Sequence, residues 1–172
     1  MRFAYADPPY LGCAARLYGD ATYDDPQAHQ RLIVRLCDEF PDGWALSLHA
    51  PSLRVIHSMC PDDVRVGVYA KTFAQIRRGV GAQWFWEPVI WRGGRIDTGS
   101  EHRRDWCSAF PRNAVKDGLI GGKPRAFCRW VFLDLLGAQK GDTFEDIFPG
   151  TKAVSSAWEE YIQSIHEQLE LT

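Results

Sequence analysis

Long apolar runs are missing from this chain, so it offers no transmembrane span, and no membrane is expected as a partner. The N-terminus carries Arg2 and Asp7 with no apolar stretch behind them, which does not read as a signal peptide. Paired cysteines are missing as well. Cys13, Cys37, Cys60, Cys107 and Cys128 are odd in number and widely spaced, which argues against a disulfide framework or a zinc cluster and favours a reducing cytoplasm. His29, His49, His57, His102 and His166 are scattered without ligand spacing, so each is expected to be structural or solvated, and no metal is expected. There are no repeats, no low-complexity tract and no Ser-rich linker, and 172 residues fit a single domain, 1–172. At a formal net charge of -2 the chain also lacks a global basic field that would recruit nucleic acid.

What is present is an apolar fraction of 45% and an aromatic fraction of 13%, enough for one packed core. Charge is unevenly placed. Residues 89–116 hold six basic groups (Arg92, Arg95, Arg103, Arg104, Arg112, Lys116) against three acidic ones, whereas 133–172 hold two basic groups and eight acidic ones. Such asymmetry can orient a polyanion. The stretch 92–122 is rich in Gly and Arg without sustained period, and reads as a long basic loop. Arg92, Arg95, Arg103, Arg104 and Arg112 are its candidates for DNA backbone contact.

Arg2–Ala6 alternates into a short strand that stops at Asp7-Pro8-Pro9-Tyr10, since two prolines cannot continue a central strand. Residues 11–23 read as a loop, and 26–40 as an amphipathic helix from the spacing of Leu32, Leu36 and Phe40. Strands are expected at 44–49, 64–70, 83–91 and 143–148, with Pro88 placing the third at an edge or bulge. Helices are expected at 52–60, from Pro124 to Gly137, and from about Lys152 to Leu169. Trp84, Trp86 and Trp91 are expected in the core rather than on a stacking surface. Strands alternating with helices predict an α/β sheet, mostly parallel.

Two constellations carry chemistry. The first is Asp7-Pro8-Pro9-Tyr10 at the carboxyl end of a strand, where open α/β sheets bind ligands. An exocyclic amine on a heterocycle is a poor nucleophile because its lone pair is delocalised into the ring. Acceptors for its two N–H groups draw the nitrogen toward tetrahedral geometry. Asp7 can supply one acceptor and the Pro8 carbonyl the other, with Pro9 fixing that carbonyl and Tyr10 offering a flat face to an extruded base. The second is Gly122-Lys123-Pro124, a helix, then Gly141-Asp142-Thr143-Phe144-Glu145-Asp146-Ile147-Phe148-Pro149-Gly150-Thr151, which reads as strand, sharp turn and helix start.

Together these motifs resemble the amino-group DNA methyltransferases, whose catalytic motif is Asp, Asn or Ser, then Pro-Pro, then Tyr, Phe or Trp. The likeness is strongest to small phage-type adenine enzymes of the permuted order, in which the catalytic motif precedes the S-adenosylmethionine (SAM) motif. Lys123-Pro124 stands 23 residues before Asp146, as in that family. The resemblance implies a Rossmann-like SAM-dependent methyltransferase sheet. It implies that Asp146, Phe148, Pro149, Gly150 and Thr151 line the SAM pocket, that Lys123 and Pro124 border it, and that Asp7 lies between cofactor and base. It further implies adenine N6 in DNA as substrate and the cytoplasm of a bacterial or phage-infected cell. Cytosine N4 offers the same chemistry. Cytosine C5 chemistry would need a Pro-Cys nucleophile, and no Cys here follows a proline. RNA adenine is the alternative substrate, and an inactive binding protein on the same fold is the rival reading. A homodimer is left open as a source of specificity.

There are two departures from the family. Lys152 stands where a second Gly is usual, and is expected in ordinary helical conformation with its stem outward. The chain stops at Thr172, short of a strand with a ribose-binding acidic residue in longer members, so a truncated C-terminal end is expected.

Overall fold

The computed structural model describes residues 1–73, 78–79, 81–96, 103–111 and 122–170, the last five without their side chains. Most of the stretch 97–121, with Arg112 and Lys116, therefore lies outside the described residues.

Five residues of alternating side chains, Arg2–Ala6, form β1. Its neighbours are β2 (Gly43–Ser47) and β6 (Thr143–Asp146), both parallel to it. The six-stranded sheet runs β5-β3-β4-β2-β1-β6, with β3 at Arg65–Lys71, β4 at Trp86–Gly93 and β5 at Trp106–Ala109. Two features differ from the sequence-based expectation. First, β4 is antiparallel to both its neighbours, so the sheet is mixed. Secondly, Pro88 sits in this central strand rather than at an edge. It is tolerated because it lies opposite Leu48, one residue beyond the end of β2, where its carbonyl accepts the Leu48 N–H at 3.2 Å.

The alternation in β1 divides the interior into two layers. Ala4 and Ala6 face one cluster with Leu32, Ile33 and Leu36 of α2 (Pro26–Glu39), together with Trp44, Leu46 and Ile90. Phe3 and Tyr5 face the other, built from α4 (Arg125–Trp130, extended by a wide turn over Val131–Leu135) and α5 (Ala153–Glu170). Small residues on one face let α2 approach closely, while large ones on the other meet Phe127, Phe132 and Tyr161. Asp25 caps α2 through the Gln27 N–H, with Pro26 in the first turn as expected. Gly137, at φ 62°, ends the α4 segment. The stretch 11–23, read as loop, contains α1 (Ala14–Tyr18), and α3 (Leu53–His57) covers the end of β2.

The strand directions fix which groups meet. All strands but β4 run the same way, so the carboxyl ends of β1, β2, β3, β5 and β6 and the amino end of β4 share one edge. The opposite edge is pinned by Asp142, whose carboxylate accepts from the N-terminal ammonium at 2.6 Å, Arg95 at 2.8 Å and the Gln139 N–H at 2.7 Å. No helix of the described residues is long and apolar enough to cross a membrane.

Phe127 is fully buried, with the rings of Tyr5, Tyr69 and Trp130 at 5.9, 5.0 and 5.7 Å. Phe127→Ala is expected to lose about 3–5 kcal/mol in urea unfolding. A loss below about 1 kcal/mol would show that this layer does not hold the helices to the sheet.

Candidate functional site

β1 delivers Asp7 to the shared edge, and the two prolines that follow end the strand there. β6 ends beside it at Asp146, in register Tyr5↔Asp146, and the Ile147 N–H continues to the Tyr5 carbonyl at 2.9 Å. Connections leave β1 toward α2 on one side and β6 toward α5 on the other, so the crevice between them is a switch point of the sheet.

Two cavities meet at Asp7. The larger, about 370 Å³, is lined by Tyr5, Asp7, Lys123, Asp146, Phe148, Pro149, Gly150, Thr151 and the first residues of α5. The smaller, about 180 Å³, is lined by Pro8, Tyr10, Tyr69, Lys71, Glu87, Pro111 and Pro124. Asp7, Tyr18, Gly122 and Lys123 belong to both walls. Of the residues expected around the cofactor, only Pro124 falls in the smaller cavity alone. Pro9 lines the larger one, behind Asp7. Gly122 allows this closure, since a Cβ there would meet Thr151 Oγ1 at 3.1 Å.

The charges at the junction form one network. Lys123, nearly buried, places Nζ 3.2 Å from Asp7 Oδ1, 3.0 Å from Glu87 Oε2 and 3.3 Å from the Tyr10 hydroxyl. Lys71 pairs with the other Glu87 oxygen. Tyr10 also reaches Asp7 Oδ1 at 3.4 Å, so Asp7 Oδ2 is left without a partner among the described residues. Burial pushes the Asp7 carboxyl above the usual carboxylate range, against the opposing pull of Lys123. Burial also raises Glu87, but Lys123 and Lys71 outweigh it and hold Glu87 down at about 2. Asp146 is raised by burial. Its Oδ2 accepts from Ser155 at 2.9 Å, while its Oδ1 is buried without a hydrogen-bond partner. That orphaned acceptor, with no ion pair among the described residues, suits a ligand carrying an ammonium or N–H donor.

The sequence did not single out Glu87, Lys71, Tyr5 or Tyr18. Glu87 carried one signal, a lone carboxylate inside the apolar segment Trp86–Trp91. His49 was read as structural or solvated. Its ring stacks on Tyr10 at 5.3 Å and 8°, and its Nδ1 meets Ser52 Oγ at 2.9 Å. The three tryptophans separate, since Trp91 is buried but Trp84, ahead of β4, is 54% exposed.

Of the five candidate arginines, Arg112 lies outside the described residues and the other four are not brought to this edge. Arg92 lies at the end of β4 and Arg95 follows it, while Arg103 and Arg104 precede β5, which puts all four at the opposite end of the sheet. Arg92 is paired with Asp63 at 2.7 Å and Arg95 with Asp142. Arg103 lies against Gly137, and the Arg104 backbone joins Asp134 and Trp130. The expected long basic loop is also interrupted, since 92–93 belong to β4 and 106–109 to β5.

Lys152 departs from the expected helical conformation. At φ 59° it is left-handed, and among the described residues it alone does so without being glycine. Its side chain is exposed and does not line either cavity. Its carbonyl accepts the Ser156 N–H at 3.0 Å, so it stands at the amino end of α5.

Comparison with known proteins fits this geometry. No family model matches the chain, and no curated protein does. Among solved structures, the crystal structure of the M1.HpyAVI-SAM complex matches with a TM-score of 0.60 at 12% identity, over 94% of this chain and 78% of that one. The chain thus shares its fold, a Rossmann-like mixed α/β sheet of six strands, with that structure.

Two expectations follow. Lys152→Gly should raise stability by about 1 kcal/mol, since a left-handed non-glycine residue costs roughly 1–2 kcal/mol. It should change SAM affinity less than about tenfold; a larger gain in calorimetry would place the lysine over the cavity. Asp146→Asn should leave apo stability at pH 7 equal or higher. The raised carboxyl favours the fold below its ordinary value and loses that contribution as pH rises through the folded one. A urea midpoint well below wild type at pH 7 would overturn this.

Proposed function

We propose that this chain is a SAM-dependent methyltransferase acting on the exocyclic amino group of a nucleic-acid base, with adenine N6 in DNA as the substrate. The observation that carries the reading is the meeting of two cavities at one carboxylate, Asp7, one of whose oxygens has no partner among the described residues. A single catalytic group stands between a large site and a smaller one sized for one flat ring.

The larger cavity fits SAM by its donor set. Asp146 offers an orphaned oxygen to a cationic group, and the backbone of 149–153 turns into the amino end of α5 along one wall. When bound there, SAM supplies an electrophilic methyl group. The chain's own residues then act on the amine. Asp7 Oδ2 accepts one N–H, and the Pro8 carbonyl is the acceptor for the other. These bonds strengthen as the nitrogen becomes tetrahedral, so they favour the transition state over the ground state. Lys123 and Tyr10 hold Oδ1, which fixes the direction of the other oxygen. Tyr10, backed by the His49 ring, presents a face to a base that has left its stack.

M1.HpyAVI was solved with SAM, which supports this cofactor here through the shared fold. Arg92, Arg95, Arg103 and Arg104 lie at the opposite end of the sheet from the base cavity, so DNA contact near the target is assigned to the site-side edge instead. The rival reading, an inactive relative, loses one support because Lys152 does not line the cavity.

Incubation with tritiated SAM and duplex DNA, single-stranded DNA or RNA, followed by nucleoside analysis, tests the proposal. N6-methyldeoxyadenosine from DNA is expected; label only in RNA, or in cytosine, would replace adenine in DNA as the substrate. Asp7→Ala should lower turnover by about 10²–10⁴-fold while SAM affinity in calorimetry stays within about tenfold. Near-normal turnover in that variant would sink the catalytic assignment.

A further inference from the structure

Glu87 is the buried charge that the amine chemistry does not use. It lies near the start of β4, opposite Tyr69 of β3, and comes from a part of the chain remote from both motifs. Each of its carboxylate oxygens meets a different lysine, Oε1 with Lys71 and Oε2 with Lys123. The Lys123 ammonium has three N–H bonds, and Asp7, Glu87 and Tyr10 account for three acceptors. Lys123 is thus held from two sides, and the distances to the two carboxylates are nearly equal at 3.2 and 3.0 Å.

We infer that Glu87 is a positioning residue for the proposed methyl transfer: it shares the Lys123 ammonium with Asp7, so that Asp7 is oriented through Oδ1 without being fully neutralised. This inference rests on the methyltransferase reading of the same site.

The physical argument is a competition for one cation. A carboxylate that owned Lys123 outright would be a weaker acceptor for the amine, because its charge would already be compensated at short range. With Glu87 present, two carboxylates face two lysines, and the quartet has no formal net charge. Without the Glu87 charge, Lys123 has Asp7 as its remaining anionic partner and moves toward it. Among the described residues, the other ionisable groups facing Asp7 are Tyr5 on the same strand, Tyr10, Tyr18 of α1 and Asp146 of β6. None of them is a cation that could replace Lys123.

Two variants move the balance in opposite directions. In Glu87→Gln, Lys123 shifts to Asp7, and the Asp7 carboxyl should titrate at lower pH than in wild type. In Lys71→Met, at the more open end of the network, Glu87 draws Lys123 harder, and Asp7 should titrate at higher pH. A ¹³C NMR titration of the Asp7 carboxyl in the apo protein reads both, independently of any methyl transfer. With active enzyme, Glu87→Gln should lower kcat about 10–100-fold with SAM affinity unchanged, the scale expected for a misplaced reacting group. The acid limb of its pH–rate profile should move to lower pH, and Glu87→Asp should return the titration toward wild type. Unmoved Asp7 titration in both Glu87→Gln and Lys71→Met would overturn the inference even if wild type proves an active methyltransferase. If wild type transfers no methyl group, the function fails, while the opposed shifts still decide whether Glu87 governs Asp7.

Discussion

One ammonium group holds this site together. Lys123 sits almost out of contact with water, and its three donors join the end of β1, the start of β4 and the approach to α4. Placing such a charge in the interior is costly unless every donor is met, and removing one partner of a buried pair commonly costs 3–5 kcal/mol or more. The network therefore adds little net stability but punishes misassembly. If β4 were shifted by one residue along β3, Glu87 would turn to the other face, and Lys123 would lose its second anion. The register Tyr69↔Glu87 and the chemistry at Asp7 are in this sense one constraint.

The topology explains why residues 7, 87, 123 and 146 can meet. Five strands deliver their carboxyl ends to one edge, and β4, running the other way, delivers its beginning. The antiparallel strand is what brings a residue preceding Pro88 to the same rim as residues that end β1 and β6. A fully parallel sheet would have put Glu87 at the far end and Arg92 at the site. The same reversal sends Arg92 and Arg95 away from the site, where Arg95 supports Asp142 and the amino end of the chain instead.

Much of this was legible in the sequence because the signals were local. Two successive prolines after an alternating strand fix where β1 stops, and the four-residue spacing of Leu32, Leu36 and Phe40 gives α2. The Asp7 motif and the Asp146 segment were each found as strand ends, and the structure brings both to one cavity. What was not legible depends on pairing between distant segments. Strand direction cannot be read from periodicity, so Arg92, Arg95, Arg103 and Arg104 could not be placed on the correct edge. Pro88 argued for an edge strand by a sound rule, and the rule gave way because β2 ends one residue too soon to need its missing N–H. Lys152 resembled a helix start in composition, yet the sharp Pro149–Lys152 turn, in which its N–H reaches the Pro149 carbonyl at 2.5 Å, forces a positive φ on it.

The charge count of the site carries the last step. Asp7 and Glu87 are matched by Lys71 and Lys123, but Asp146 has only the Ser155 hydroxyl and backbone for company, and one of its oxygens has no partner. Among the described residues the larger cavity therefore holds a half-buried acid without an ion pair, and a ligand that brings positive charge or N–H donors would favour its ionised form. A neutral ligand of the same shape would fill the volume without meeting that need. Under the proposed reading, the cofactor's cationic groups answer it, while Glu87 keeps Lys123 from being drawn wholly to Asp7. The two cavities are then set to opposite tasks by their charges: one favours a cation, and the other presents a carboxylate oxygen kept free for a neutral amine.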